Sequence, residues 1–138
     1  MRALIPVSEI MTKNIIALDK NNDLTSAEAL FKRYHIRHIP VVKEESIIGM
    51  LSYTDLLKIS FADATEDERN IDTVVYNMFS IEQVMTKDVV TVSSNTSIKE
   101  VAKILAEKEF HALPVVDDSI LVGIVTTTDL IKYMLKQF

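Results

Sequence analysis

One offset organises this chain. Its two glycines, Gly49 and Gly123, stand 74 residues apart, as do Pro40 and Pro114, Met11 and Met85, and Asp55 and Asp129. The same shift lays Met11-Thr12-Lys13 on Met85-Thr86-Lys87 and Pro40-Val41-Val42 on Pro114-Val115-Val116. It also lays Thr54-Asp55-Leu56 on Thr128-Asp129-Leu130, with no gap from Val7 to Lys58. A register that captures both glycines and two of the three prolines marks a duplication. A copy of about 60 residues buries only about 60% of its unfolded surface, so the halves are expected to fold against each other.

Each copy reads as β-α-β-β-α. Ile15, Ile16, Ala17 and Leu18 form a short apolar run, matched by Val89, Val90, Thr91 and Val92, and both predict a first strand. Leu24, Ala27, Leu30, Phe31 and Tyr34 then recur with helical period, as do Ile98, Val101, Ile104 and Leu105. Asp23 and Ser97 stand at the N-cap positions. Two strands follow, at 38–42 and 47–52, and again at 112–116 and 120–126. A closing helix begins near Thr54 in one copy and near Thr128 in the other. Short helical turns at 8–11 and 82–85 open the copies.

The reading divides the chain into a first repeat over 1–61, a linker with an extra helix over 62–80, and a second repeat over 81–138. The linker starts with an acidic stretch at 63–70, expected to be a loop. Val74, Val75, Met78 and Phe79 then give its second part an apolar helical face, expected to pack on the module or on a partner subunit.

The totals exclude several classes. Net charge is −5, which disfavours a nucleic-acid partner. There is no cysteine, so disulfides and thiolate zinc sites are absent, in keeping with a reducing, cytoplasmic setting. No apolar run approaches the roughly 20 residues of a membrane span, and no signal-peptide core opens the chain. Mean hydropathy is slightly positive, which points to an apolar face covered by a second copy.

The chemistry-bearing motif is Gly-x-x-Ser/Thr-x-x-Asp. It occurs as Gly49-Met50-Leu51-Ser52-Tyr53-Thr54-Asp55 and again as Gly123-Ile124-Val125-Thr126-Thr127-Thr128-Asp129. Both copies sit at a strand-to-helix junction, downstream of Ile39-Pro40-Val41-Val42 or Leu113-Pro114-Val115-Val116. With the Met-Thr openings, this pattern resembles the cystathionine-β-synthase-type (CBS) repeat, present twice as a Bateman module. The resemblance covers nearly the whole chain outside the acidic linker. It implies an α/β (α+β) fold, with the repeats related by a pseudo-two-fold and small sheets packed with helices outside.

A helix start exposes unpaired N–H groups, so the hydroxyl of Ser52 or Thr126 can meet a phosphate; Thr54 and Thr128 are the further ligand-binding candidates of the two motifs. An ionised Asp55 or Asp129 only accepts hydrogen bonds, which suits the two donors of a ribose diol. By the resemblance, a base would rest on the first strand of the opposite repeat. Asp55 would then share a cleft with Val89 and Val90, and Asp129 with Ile15 and Ile16. Arg37 and His38 would supply cations to the phosphates of one cleft and His111 to those of the other. Because Arg37 aligns with His111 and His38 with Ala112, the two clefts are expected to differ in affinity.

What the resemblance implies is a regulatory module that binds an adenine nucleotide (AMP, ADP or ATP) and signals through its own homodimer or an effector protein. S-adenosylmethionine is the alternative ligand, and a ligand-free dimerisation module the alternative role. The dimer would form through helices carrying Leu56, Leu57, Ile59, Leu130, Ile131 and Met134. No nucleophile elbow, phosphate loop or acid–base pair stands at matching positions, so no enzyme and no catalytic cofactor is expected.

Plainer roles compete. Ser52-x-x-Asp55 also reads as a capping box. The glycines also read as bends, and Pro40 and Pro114 as marks of edge strands. His35 and His38, three apart, lack carboxylate partners for a metal. Met11, Met50, Met78, Met85 and Met134 read as core or interface filler.

Overall fold

The structure is a computed structural model and describes residues 4–62, 76–108 and 110–138. The acidic stretch at 63–70 and the linker positions of Val74 and Val75 lie outside the described residues. The chain forms two compact units. One is Ile16–Val89; the other joins Met1–Ile15 to Val90–Phe138. Each unit therefore takes the body of one repeat and the opening segment of the other.

In the Ile16–Val89 unit, β1 (Leu18–Asp19) pairs parallel with β2 (His38–Lys43), and β2 pairs antiparallel with β3 (Ser46–Ser52). Helix α1 (Leu24–Tyr34) lies between β1 and β2, and α2 (Tyr53–Ala62) follows β3. Asp23 caps α1 by accepting the Ser26 N–H at 2.7 Å. His35 closes it in the left-handed region at φ 54°, its N–H donated to the Phe31 carbonyl. Periodicity places Leu24, Ala27 and Phe31 in the core, but Tyr34 stays exposed beside Arg33. Leu24, Ile39, Leu51, Leu56 and Ile81 are fully buried, each worth about 1.5–3 kcal/mol of apolar transfer.

A turn of helix at 76–78 and a short helix α3 (Ile81–Val84) complete this unit. Among the described linker residues, the one that packs on this unit is Tyr76. It is buried in the core, whereas Met78 and Phe79 are exposed. The Tyr76 hydroxyl has a partner there, donating to Glu28 Oε2 at 2.6 Å.

The other unit opens with a 3-10 turn at Val7–Glu9. Helix α4 (Ile98–Lys108), the hairpin β4 (Ala112–Asp117) and β5 (Ile120–Thr126), and α5 (Thr127–Gln137) make its body. Ser97 caps α4 by accepting the Glu100 N–H at 3.1 Å. Val7, Val101, Leu113, Val115 and Val125 fill its core. Among the described residues, no buried side chain is polar or charged.

Three expectations are corrected. The first strand of each repeat shrinks to Leu18–Asp19 and to a single parallel bridge of Val92 with Val115. Ile15, Ile16, Val89 and Val90 run outside any ladder. In the second copy, Asp88 at φ 47° turns the chain just before them.

The prolines do not mark open edges. Pro40 is buried in β2, the middle strand of its sheet, and the Pro114 carbonyl accepts the Val92 N–H at 3.1 Å. In the dimer-face set, Leu56 is fully buried in its own unit, and Ile59 and Leu130 pack on their own cores. The apolar side chains that α5 leaves exposed are Ile131, Met134 and Leu135, with Phe138 beyond its end.

Candidate functional site

The two Gly-x-x-Ser/Thr-x-x-Asp copies build the same local object. Ser52 ends β3 and Asp55 lies in the first turn of α2. The Asp55 N–H donates to Ser52 Oγ at 3.0 Å, and the Ser52 N–H donates to Asp55 Oδ2 at 3.2 Å. Thr126 and Asp129 repeat the exchange at the start of α5, at 3.1 and 3.0 Å. Both are reciprocal capping boxes with aspartate in the usual glutamate position. Each carboxylate is half-buried and commits one oxygen to its cap. Among the described residues, Oδ1 of Asp55 and Oδ1 of Asp129 have no partner. Capping and ligand acceptance are thus compatible at one side chain.

The helix starts are less open to anions than the sequence suggested. The Tyr53 N–H donates to the Arg37 carbonyl at 2.9 Å, and the Thr127 N–H to the His111 carbonyl at 3.0 Å. With the Asp55 and Asp129 N–H groups taken by the caps, two donors at each helix start are already used. What these bonds do instead is tether Arg37 and His111 to the helix entrances. Both side chains are exposed; His38 is half-buried at the start of β2, and Thr54 and Thr128 are exposed.

The opening segments meet the same strands. In the Ile16–Val89 unit, Met50 and Thr86 exchange backbone hydrogen bonds at 3.0 and 2.8 Å. In the other, Ile124 and Thr12 do so at 3.0 and 2.8 Å. Beside each bridge a methionine lies on a glycine. A β-carbon added at Gly49 would overlap Met85, with Cγ at 2.9 Å, and one at Gly123 would stand 2.5 Å from Met11 Sδ. Neither glycine has positive φ, so close approach, and not a bend, is what requires them. Thr12 Oγ1 also reaches Asp129 Oδ2 at 3.5 Å.

These contacts bring Val89 into the unit of Asp55, three residues beyond Thr86, and Ile15 into the unit of Asp129, three residues beyond Thr12. Val90 and Ile16 fall in the other unit from the carboxylate with which each was grouped. Ile15, Ile16 and Val89 are half-buried and Val90 is exposed. Among the described residues, their backbone N–H and C=O groups have no partner. Sequence reasoning missed Thr12 and Thr86. The signal was present, because the Met-Thr openings share the register of the glycines on which their methionines rest.

The profile of the CBS domain matches residues 7–62 and 81–136. An uncharacterized protein of Methanocaldococcus jannaschii, MJ1225, is 28% identical over 134 residues, covering 92% of this chain and 46% of its own length. The CBS domain-containing protein YhcV of Bacillus subtilis is 27% identical over 124 residues, 90% of this chain and 81% of its own. This chain thus spans less than half of the first relative. Among solved structures, the CBS domain pair of protein MJ0100, in complex with 5′-methylthioadenosine and S-adenosyl-L-methionine, superposes with a TM-score of 0.82. It is 25% identical, with 98% of this chain and 99% of that one covered. Among the described residues, no helix is long and apolar enough to cross a membrane. With both repeats matched and a CBS pair superposing over nearly its whole length, this chain belongs to the CBS domain family.

Proposed function

We propose that this CBS pair is a regulatory module that binds an adenosine-bearing ligand at the entrances of α2 and α5 and catalyses no reaction. The observation that carries the reading is the state of two carboxylates. Asp55 and Asp129 are each fixed through Oδ2 and leave Oδ1 as an open acceptor, suited to a ribose hydroxyl. A charge-assisted bond of this kind contributes roughly 1.5–3 kcal/mol. The segments at Ile15 and Val89 add half-buried apolar side chains and unpartnered backbone groups, which suit the face and edge of a base.

An adenine nucleotide (AMP, ADP or ATP) is the first ligand. Arg37, tethered to the start of α2, would face its phosphates together with His38, Ser52 and Thr54. In the other unit, His111, Thr126 and Thr128 would do so. Because two N–H groups at each helix start are taken, phosphate recognition would rest on these side chains. S-adenosylmethionine is the second reading, supported by the ligands of the MJ0100 pair.

Signalling requires the ligand to favour one arrangement of the module over another. The exposed apolar side chains Ile131, Met134 and Leu135 of α5, with Phe138, suit a second copy as the homodimer partner. An effector protein and a cytoplasmic setting belong to the same reading. A thermal-shift panel of AMP, ATP, S-adenosylmethionine and 5′-methylthioadenosine tests it. A ligand at 100 times its dissociation constant adds about 2.7 kcal/mol of stability. No response to any of the four leaves the structural dimerisation role in its place.

A further inference from the structure

Two thioethers hold the opening segments in place, and they are not equally protected. Met85 is buried over Gly49, whereas Met11 over Gly123 is half-buried. Glycine is needed at both seats because the methionine fills the volume of a side chain. Each seat adjoins one backbone bridge, Thr86 with Met50 or Thr12 with Ile124. Thr12 also contacts the Asp129 carboxylate. The seat, the bridge and the carboxylate are therefore one mechanical series.

We propose that Met11 is an oxidant-responsive latch, released by a peroxide. The sulfur lone pair attacks one peroxide oxygen, an S–O bond forms and the O–O bond breaks. The leaving hydroxide takes the remaining proton and departs as water. Sulfur is oxidised by two electrons and hydrogen peroxide is reduced to water. The sulfoxide is larger, polar and chiral. On its Gly123 side the sulfur has no space for an added atom, since a β-carbon built there would stand 2.5 Å away, so the polar oxygen has to be taken up by a shift of the side chain toward solvent. Met11 withdraws, the Thr12–Ile124 bridge opens, and Thr12 leaves Asp129. Met85 reacts later because it is the more buried of the two, so the oxidant acts on one unit first. The proposal is independent of which ligand, if any, binds.

The test treats the whole protein with graded hydrogen peroxide and maps sulfoxides by peptide mass spectrometry. Backbone amide exchange is followed at Thr12 and Ile124. The exposed Met78 and Met134 react as well, so Met78→Leu/Met134→Leu serves as the background. The expected result is sulfoxide at Met11 before Met85, with exchange at Thr12 and Ile124 faster by about tenfold and Thr86 and Met50 unchanged. Methionine sulfoxide reductase restores protection, and Met11→Leu, which fills the seat without an oxidisable sulfur, removes the response. Oxidised Met11 with unchanged exchange overturns the proposal. So does the same acceleration in Met11→Leu, or oxidation of Met11 only together with Met85.

Discussion

The thioether of Met85 lies directly against the α-carbon of Gly49, beside the bridge that joins Thr86 to Met50. This contact sets the opening of the second repeat on the strand that leads to Ser52 and Asp55. A methyl group at Gly49 forces Met85 out of its seat. Gly49→Ala is expected to cost about 1–3 kcal/mol by overpacking. The cost shrinks in a Met85→Ala background, where the space is free. Urea unfolding of the single and double variants measures that coupling; additive costs would dissociate the two residues.

The linker anchor is separable from the rest. Tyr76 donates to Glu28 Oε2 at 2.6 Å, while Glu28 Oε1 holds Lys32 at 3.2 Å. Tyr76→Phe keeps the ring in the core and removes the hydroxyl. Stability should fall by about 1 kcal/mol, read as an earlier urea midpoint with an unchanged m-value. The second repeat has Ala102 where the first has Glu28, so no equivalent anchor exists there.

Acid sensitivity has a definite sign at the start of α1. The Ser26 hydroxyl, then the Ser26 backbone N–H, holds the Asp23 carboxyl below its ordinary range. A depressed folded pKa contributes stability above the unfolded pKa, and that contribution is lost as pH falls through the folded one. Asp23→Ala should therefore cost about 1 kcal/mol at neutral pH. The gap to wild type should close as pH drops through and below the ordinary carboxylic range. Thermal unfolding across that range checks it; a gap that stays constant would contradict the assignment.

The tethered cations predict unequal sites. Arg37 presents a forked guanidinium suited to phosphate oxygens and stands beside His38, whereas His111 stands beside Ala112. Arg37→Ala should weaken a phosphorylated ligand by about tenfold, or ~1.4 kcal/mol, with a smaller loss for His111→Ala. Titration of each variant with ATP gives the comparison. Equal losses would remove the asymmetry.

Much of this was legible in the sequence because the duplication repeats every signal. The periodicity of Leu24, Ala27 and Phe31, the caps at Asp23 and Ser97, and the two hairpins all follow from local pattern, and local pattern governs them. The first strand was misjudged for a physical reason. Apolar runs at Ile15 and Val89 carry strand propensity, but the preceding Thr12 and Thr86 bridge to another strand and draw the chain out of the sheet. Met11 and Met85 read as core or interface filler, and both pack on the cores, but the shared register of methionine and glycine does not by itself say which glycine each covers. That depends on which unit an opening segment joins, and periodicity within one repeat does not encode it. In the linker the apolar spacing did not single out Tyr76, whose hydroxyl finds Glu28 in the core.

The central claim is that Asp55 and Asp129 receive the ribose of an adenosine-bearing ligand. Isothermal titration of wild type and of Asp55→Asn/Asp129→Asn with AMP, ATP and S-adenosylmethionine tests it, with circular dichroism to check that the variant keeps its fold. The expected result is that wild type binds at least one of the three and the folded double variant loses that binding. Retained affinity in the double variant would contradict the account.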